Sequence, residues 1–222
     1  MNKNKVKLIL VGEAAVGKTS IISQFVEQRF SEEYLTTIGR EKFVKELDIE
    51  NKKITLEIWD TPGQERFSQV NKIFMKNTKI ALIVYSIIDK NSFEKLDKWI
   101  KIVKEVNKNE EIIFGIAANK SDMFEKQEVS KEDGEGYVKD KNILFFETSA
   151  KDYKSIEKAF IELSKAYLKM IEEKNKNNPQ LEMNQNVDEN DKKDPLENNY
   201  VKFNDINPKD DGKDCSSKCS II

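Results

Sequence analysis

The run Gly12-Glu13-Ala14-Ala15-Val16-Gly17-Lys18-Thr19 constrains this chain more than any other stretch. It follows an apolar, strand-like segment at 6–11 and opens a helix-like one at 18–28. It fits G-x-x-x-x-G-K-[ST], a loop whose successive backbone N–H groups point inward to hold phosphate oxygens. In that arrangement Lys18 reaches the terminal phosphates, and the Thr19 hydroxyl can ligate Mg²⁺ at the start of the helix. Gly12, Ala15, Val16, Gly17, Lys18 and Thr19, with Ser20 after them, are the expected nucleotide-binding residues of this segment.

A strand feeding such a loop belongs in an α/β sheet, and the remaining pattern agrees. Strand-like runs at 6–11, 43–49, 54–59, 80–85, 112–118 and 143–146 alternate with helical runs at 18–28, 92–106 and 155–173. In the last of these Ile156, Ala159, Phe160, Leu163, Ala166, Tyr167 and Met170 keep helical spacing, which marks a face that packs on the core. The runs flanking Asn51-Lys52 read as an antiparallel hairpin at the sheet edge. The expected fold is an α/β P-loop NTPase with a six-stranded, mostly parallel sheet flanked by about five helices.

Asn119-Lys120-Ser121-Asp122, at the end of the fifth run, indicates which base accompanies the phosphates. An Asp122 carboxylate can accept two hydrogen bonds from the N1–H and 2-amino edge of guanine. Adenine offers neither donor, and an unpaired buried carboxylate is costly, so adenine is disfavoured. Asn119 would hold the loop and touch the base, while the Lys120 stem would cover the ring.

With these residues in view the chain resembles the small Ras-like GTPases, and within them the Rab branch, over about residues 5–173. Five elements stand in that family's order: the 12–19 loop, Thr37, Asp60-Thr61-Pro62-Gly63-Gln64, Asn119-Lys120-Ser121-Asp122, and Thr148-Ser149-Ala150-Lys151. Rab-like features are Trp59, Glu65-Arg66-Phe67, Thr37-Ile38-Gly39 and Val129-Ser130-Lys131-Glu132-Asp133-Gly134-Glu135. The resemblance implies that Ser149, Ala150 and Lys151 complete the guanine site, with the Ala150 N–H bonding the base oxygen, and that Phe30 packs against the base. It implies Thr19 and Thr37 as Mg²⁺ ligands with Asp60 holding a water of the metal. Thr37 and Gly63 would sense the γ-phosphate, and Gln64 would orient the attacking water. GTP and GDP would be the ligands. Intrinsic hydrolysis would be slow, since no arginine lies just upstream of Thr37. A GTPase-activating protein, an exchange factor, effectors and a prenyl-binding chaperone of the GDI kind are the implied partners, in vesicle traffic.

Three departures bear on detail. Pro62 stands where the family usually has Ala and restricts the backbone of Thr61 as well as its own. Counting back from Asp60 puts Lys42 at the usual aromatic position with Phe43 beside it, which moves the aromatic to the other face unless the strand is bulged. Phe74-Met75-Lys76-Asn77-Thr78 replaces the usual Tyr-Tyr-Arg-Gly-Ala. Pro62 also leaves open a GTP-bound scaffold that does not hydrolyse. A small-molecule P-loop kinase shares the loop, but the 119–122 motif and the terminal cysteines argue against it.

Composition narrows the setting. Net charge is −2 on 222 residues, so no global basic field draws the chain to nucleic acid or anionic lipid. The absence of histidine excludes His-based catalysis and most zinc sites. The amino terminus is too polar for a secretory signal. A domain at 1–173 is expected to give way to a disordered tail at 174–222, rich in Asn, Lys and acids without apolar period. The only cysteines, Cys215 and Cys219, lie in that tail. Cys219-Ser220-Ile221-Ile222 fits C-a-a-X, whose terminal Ile favours geranylgeranyl, and Cys215 could take a second prenyl or a palmitate. One chain anchors only marginally and the tail is not polybasic, so a second lipid or a membrane partner is expected. The expected location is the cytoplasmic face of an intracellular membrane, in exchange with cytosol.

Overall fold

Val6, Leu8, Ile9, Leu10 and Val11 of strand β1 (Asn4–Val11) are fully buried, the signature of a strand covered on both faces. The computed structural model describes residues 4–31, 41–61, 74–108 and 110–177, all within the first of two units, 1–179. The chain continues through α1 (Lys18–Glu27), β2 (Glu41–Ile49), β3 (Lys52–Asp60), β4 (Ile80–Ser86), α2 (Lys90–Glu94), α3 (Leu96–Val106) and β5 (Ile113–Asn119). A 3-10 turn (Ser121–Lys126), α4 (Lys131–Val138), β6 (Ile143–Glu147) and α5 (Tyr153–Asn177) follow. The sheet order is β2-β3-β1-β4-β5-β6, with only β2 antiparallel to its neighbour. The expected α/β architecture is the one observed.

Both sheet faces are packed. On one, Phe25 of α1 and Phe160 of α5 stack with ring centroids 3.9 Å apart. Ile21, Ile22, Ile156, Ala159 and Leu163 join them over Val6, Leu8, Leu10, Leu56 and Ile58. Ala166, Tyr167 and Met170, also expected in this core, are half-buried, with Tyr167 packed against its edge. On the other face Leu96, Trp99, Ile100 and Val103 of α3 cover Ile9, Val11, Ile83 and Ile116.

Two local expectations need correction. The helix expected at 92–106 is two helices, broken at Lys95 (φ −92°, ψ 5°). The break keeps Phe93 edge-on to Tyr85, with ring centroids 5.1 Å apart, while the Leu96, Trp99 and Val103 stripe turns onto the sheet. The β2–β3 turn is Glu50-Asn51 rather than Asn51-Lys52. Both residues have positive φ (53° and 65°), as a two-residue hairpin turn matching the strand twist requires. Asn tolerates that region, whereas Glu carries no such signal.

The β2–β3 register is regular from Glu41 opposite Asp60 to Ile49 opposite Lys52, with no bulge. Lys42 therefore faces Trp59, and Phe43 points to the opposite side, into the core beneath α1 and α5. The sequence departure at 42–43 is a genuine change of face.

α4 begins with a reciprocal cap: Ser130 Oγ accepts from the Asp133 N–H at 3.0 Å, and Asp133 Oδ2 accepts from the Ser130 N–H at 3.1 Å.

Candidate nucleotide site

The sheet order reverses about β1, and the segment joining β1 to α1 lies at that strand's carboxyl end, where open α/β sheets build their ligand crevices. Two glycines make the turn possible. Gly12 has φ 149°, and a Cβ there would stand 2.2 Å from the Val84 carbonyl oxygen; Gly17 has φ 97°, and its Cβ would meet Asn119 Nδ2 at 2.4 Å. Ala15 also has positive φ (59°) and is exposed, so the loop's concave backbone is open on one side.

Lys18 opens α1 with its side chain folded back into the loop. Its Nζ donates to the carbonyl oxygens of Gly12 at 3.0 Å and Glu13 at 2.7 Å. Burial pushes the ammonium down to about 8, partly opposed by the nearby Asp60 and Glu13 carboxylates. A buried cation held by neutral carbonyls is short of negative charge, which a phosphate at the loop would supply. One residue on, Thr19 Oγ1 donates to Asp60 Oδ2 at 2.6 Å, bringing a hydroxyl and a carboxylate together beside the loop. Such a hard oxygen set suits Mg²⁺, so the residues present fit that ion. Thr61 Oγ1 donates to the Leu10 carbonyl at 2.6 Å and anchors the chain just past Asp60 to β1. Ser20 follows Thr19 on α1, half-buried.

The ends of β5 and β6 bring in the residues expected at the base. Asn119 is 1 % exposed; its Nδ2 donates to the Val16 carbonyl at 2.7 Å, and its Oδ1 accepts from Thr148 Oγ1 at 3.3 Å. That one amide joins three motifs, with partners 103 residues before it and 29 residues after it. The Ser121 N–H donates to the Thr148 carbonyl at 3.1 Å, binding the two base-side loops together. Lys120 adopts φ 65°, and burial lowers its amine's affinity for a proton, opposed by Asp89 and Asp122. Ser149 Oγ donates to Asp122 Oδ1 at 2.6 Å, and Lys151 Nζ lies 3.9 Å from Asp122 Oδ2. Ala150 is buried between Ser149 and Lys151. Phe30 is 39 % exposed, and Lys151 Nζ lies 5.5 Å from its ring centroid, so an aromatic from beyond α1 stands beside Lys151.

The arrangement is thus a glycine-turned loop with a buried cation folded into it, tied through Asn119 to a group in which Lys151 lies between the Asp122 carboxylate and the Phe30 ring. Thr37, Gly63, Gln64, Pro62, Cys215 and Cys219 lie outside the described residues. Sequence reasoning missed the side-chain role of Glu13, whose Oε1 accepts from Trp99 Nε1 at 3.1 Å and whose Oε2 lies 3.2 Å from Lys95 Nζ. An acid inside a phosphate loop was the available signal. It also missed Thr61, which reads as part of the Asp60 motif rather than as an anchor.

Residues 7–169 match the model of the Ras family. The chain belongs to the Ras family. It is 39 % identical over 162 residues to the Ras-related protein Rab-13 of Bos taurus, covering 73 % of this chain and 79 % of that one. It is 39 % identical over 173 residues to RabQ of Dictyostelium discoideum, covering 78 % and 84 %. Rab-21 of Homo sapiens is 36 % identical over 174 residues, covering 78 % and 77 %. The protein is a divergent Rab-type small GTPase that binds GTP and GDP and hydrolyses GTP to GDP, and regulators and effectors are its kinds of partner.

The divergence has a physical form on the β2–β3 sheet. In this GTPase Trp59 lies beneath two lysines, Lys7 Nζ at 4.8 Å and Lys42 Nζ at 5.8 Å from its ring centroid, with the Phe74 ring 6.0 Å away and tilted. Lys42 also pairs with Glu57 at 3.6 Å. A half-buried aromatic with cations over its ring differs from an all-aromatic cluster. Among the described residues no helix is long and apolar enough to cross a membrane.

Proposed function

We propose that this GTPase is a Mg²⁺-dependent switch in vesicle traffic, lipid-anchored to the cytoplasmic face of an intracellular membrane. The observation that carries the nucleotide part is the Asn119 amide, which bonds the phosphate loop at Val16 while Asp122, three residues on, is hydrogen-bonded by Ser149. Base-reading and phosphate-holding groups thereby share one rigid frame.

In this reading the loop N–H groups and Lys18 offset charge on the β- and γ-phosphates. Thr19 and Thr37 hold Mg²⁺ with Asp60 supporting the site; when bound, the ion supplies further positive charge to the phosphate oxygens. Asp122 accepts from the guanine edge, the Ala150 N–H donates to the base oxygen, and the Lys120 stem and Phe30 cover the two faces of the ring. Gln64 orients the attacking water. Thr37 and Gly63 contact the terminal phosphate, so its loss releases both segments and changes what the surface presents. A GTPase-activating protein supplies the missing cation, worth about 10³–10⁵ in rate in comparable enzymes. An exchange factor releases the product, and a prenyl-binding chaperone carries the lipidated protein through the cytosol.

Cys219 is the proposed prenyl site and Cys215 the second lipid site. One lipid chain gives marginal, reversible binding, and the tail's 8 lysines against 10 acids add no attraction to anionic lipid. The test is the location of tagged protein in its own cells beside Cys219→Ser and Cys215→Ser, with intact mass of the purified protein. Wild type on membranes with one or two lipid adducts, and Cys219→Ser in the cytosol, is the expected result. Membrane-bound protein with an unmodified Cys219 contradicts the anchor.

A further inference from the structure

Glu13 is the only acid within the 12–19 loop, and it is buried. A carboxylate at that place repels the phosphates it sits beside unless something holds it aside and offsets its charge. Two residues of the α2–α3 junction do both. Trp99 Nε1 donates to Glu13 Oε1 at 3.1 Å, and Lys95 Nζ donates to Oε2 at 3.2 Å. Trp99 is 5 % exposed and the Lys95 side chain about one-third exposed, so the pair is screened only on the lysine side. The helix break places Lys95 at the entry to α3, one turn before Trp99, so both donors reach the same carboxylate.

The main chain of Glu13 acts separately, since its carbonyl oxygen accepts the closer of the two bonds from Lys18 Nζ, at 2.7 Å. A single residue therefore fixes α3 through its side chain and the phosphate-facing lysine through its backbone. We propose that Glu13, Lys95 and Trp99 form a clamp that positions the phosphate loop and Lys18, and so sets how long a bound nucleotide stays. This rests on the proposed nucleotide site and adds three positioning residues to it, none of which need touch the ligand.

The clamp has a charge logic that packing alone lacks. Lys95→Met leaves the Glu13 carboxylate buried with one neutral donor next to the phosphates, and losing one member of such a pair costs more than losing both. Glu13→Gln keeps an acceptor for Trp99 and removes the charge. The combination Glu13→Gln/Lys95→Met has no charge left to compensate.

The experiment is release of fluorescently labelled GDP from full-length protein into excess GDP with Mg²⁺, with circular dichroism on each variant. Lys95→Met should release GDP about tenfold faster, and Trp99→Phe, which keeps the ring but not the donor, about fivefold faster. The double variant should return to within about threefold of wild type, a rescue that simple loss of packing does not give. Wild-type rates for Lys95→Met and Trp99→Phe overturn the clamp, as does a double variant at least as fast as Lys95→Met. Failure of the wild type to bind labelled GDP overturns instead the nucleotide site on which the clamp rests.

Discussion

The Asn119 side-chain amide donates to the Val16 carbonyl at 2.7 Å, joining the end of β5 to the phosphate loop across 103 residues of sequence. The bond is buried, and its partner loop has no room for adjustment: a Cβ on Gly17 would collide with the same amide nitrogen. Asn119→Ala leaves both the Val16 carbonyl and the Thr148 hydroxyl without this partner, at a cost of about 1–3 kcal/mol for each buried group left unsatisfied. Asn119→Asp should be worse, because a carboxylate accepts where Val16 needs a donor. Denaturant unfolding of both variants checks the order, and labelled-GDP release should be faster in each than in wild type.

Hydrolysis and metal binding should separate by mutation. Gln64→Leu should retain GTP but lose stimulated hydrolysis, by about 10²-fold or more, since water is no longer oriented. Thr19→Asn should instead weaken GTP binding with Mg²⁺, because the hydroxyl that bonds Asp60 at 2.6 Å is gone. Single-turnover rates with cell extract and nucleotide affinity with and without Mg²⁺ measure the two effects. Normal stimulated hydrolysis by Gln64→Leu means that another group positions the water.

Pro62 follows a fixed point, since Thr61 is buried and bonded to Leu10. Proline limits its own φ and the conformations of Thr61, so Pro62→Ala should widen the range open to the segment beyond while leaving the fold intact. We expect faster stimulated hydrolysis by a few-fold. Identical hydrolysis and exchange rates in the two proteins would make the substitution neutral.

What the sequence disclosed and what it hid divide along range. Residues 6–28 were legible because strand, glycine turn and helix start are written in consecutive residues, and the displaced aromatic at Phe43 was legible because strand side chains alternate with an invariant period of two. The hairpin turn slipped by one residue because Glu50 carries no preference for positive φ. The break at Lys95 was hidden because neither glycine nor proline marks it; it goes with the packing of Phe93 on Tyr85, a contact with another element. The same holds in the site: Asn119 was legible as a residue that holds the loop, but its partner Val16, and the bond from Trp99 to Glu13, join parts of the chain 103 and 86 residues apart. Only the folded arrangement brings those pairs together.

Nucleotide competition decides whether this Rab-type protein reads guanine with Asp122 while the 12–19 loop holds the phosphates. Asp122 is held by Ser149 Oγ at 2.6 Å, and Asp122→Asn replaces an acceptor-only group with an amide that can donate to the 2-oxygen of xanthine. Purified wild type and Asp122→Asn are each challenged with GTP, XTP and ATP against labelled GDP or labelled XDP. Wild type should prefer GTP over both competitors by at least about 10³-fold, and the variant should prefer XTP. Wild-type protein that binds ATP as tightly as GTP, or an Asp122→Asn protein that keeps its preference for GTP, would contradict guanine reading by Asp122.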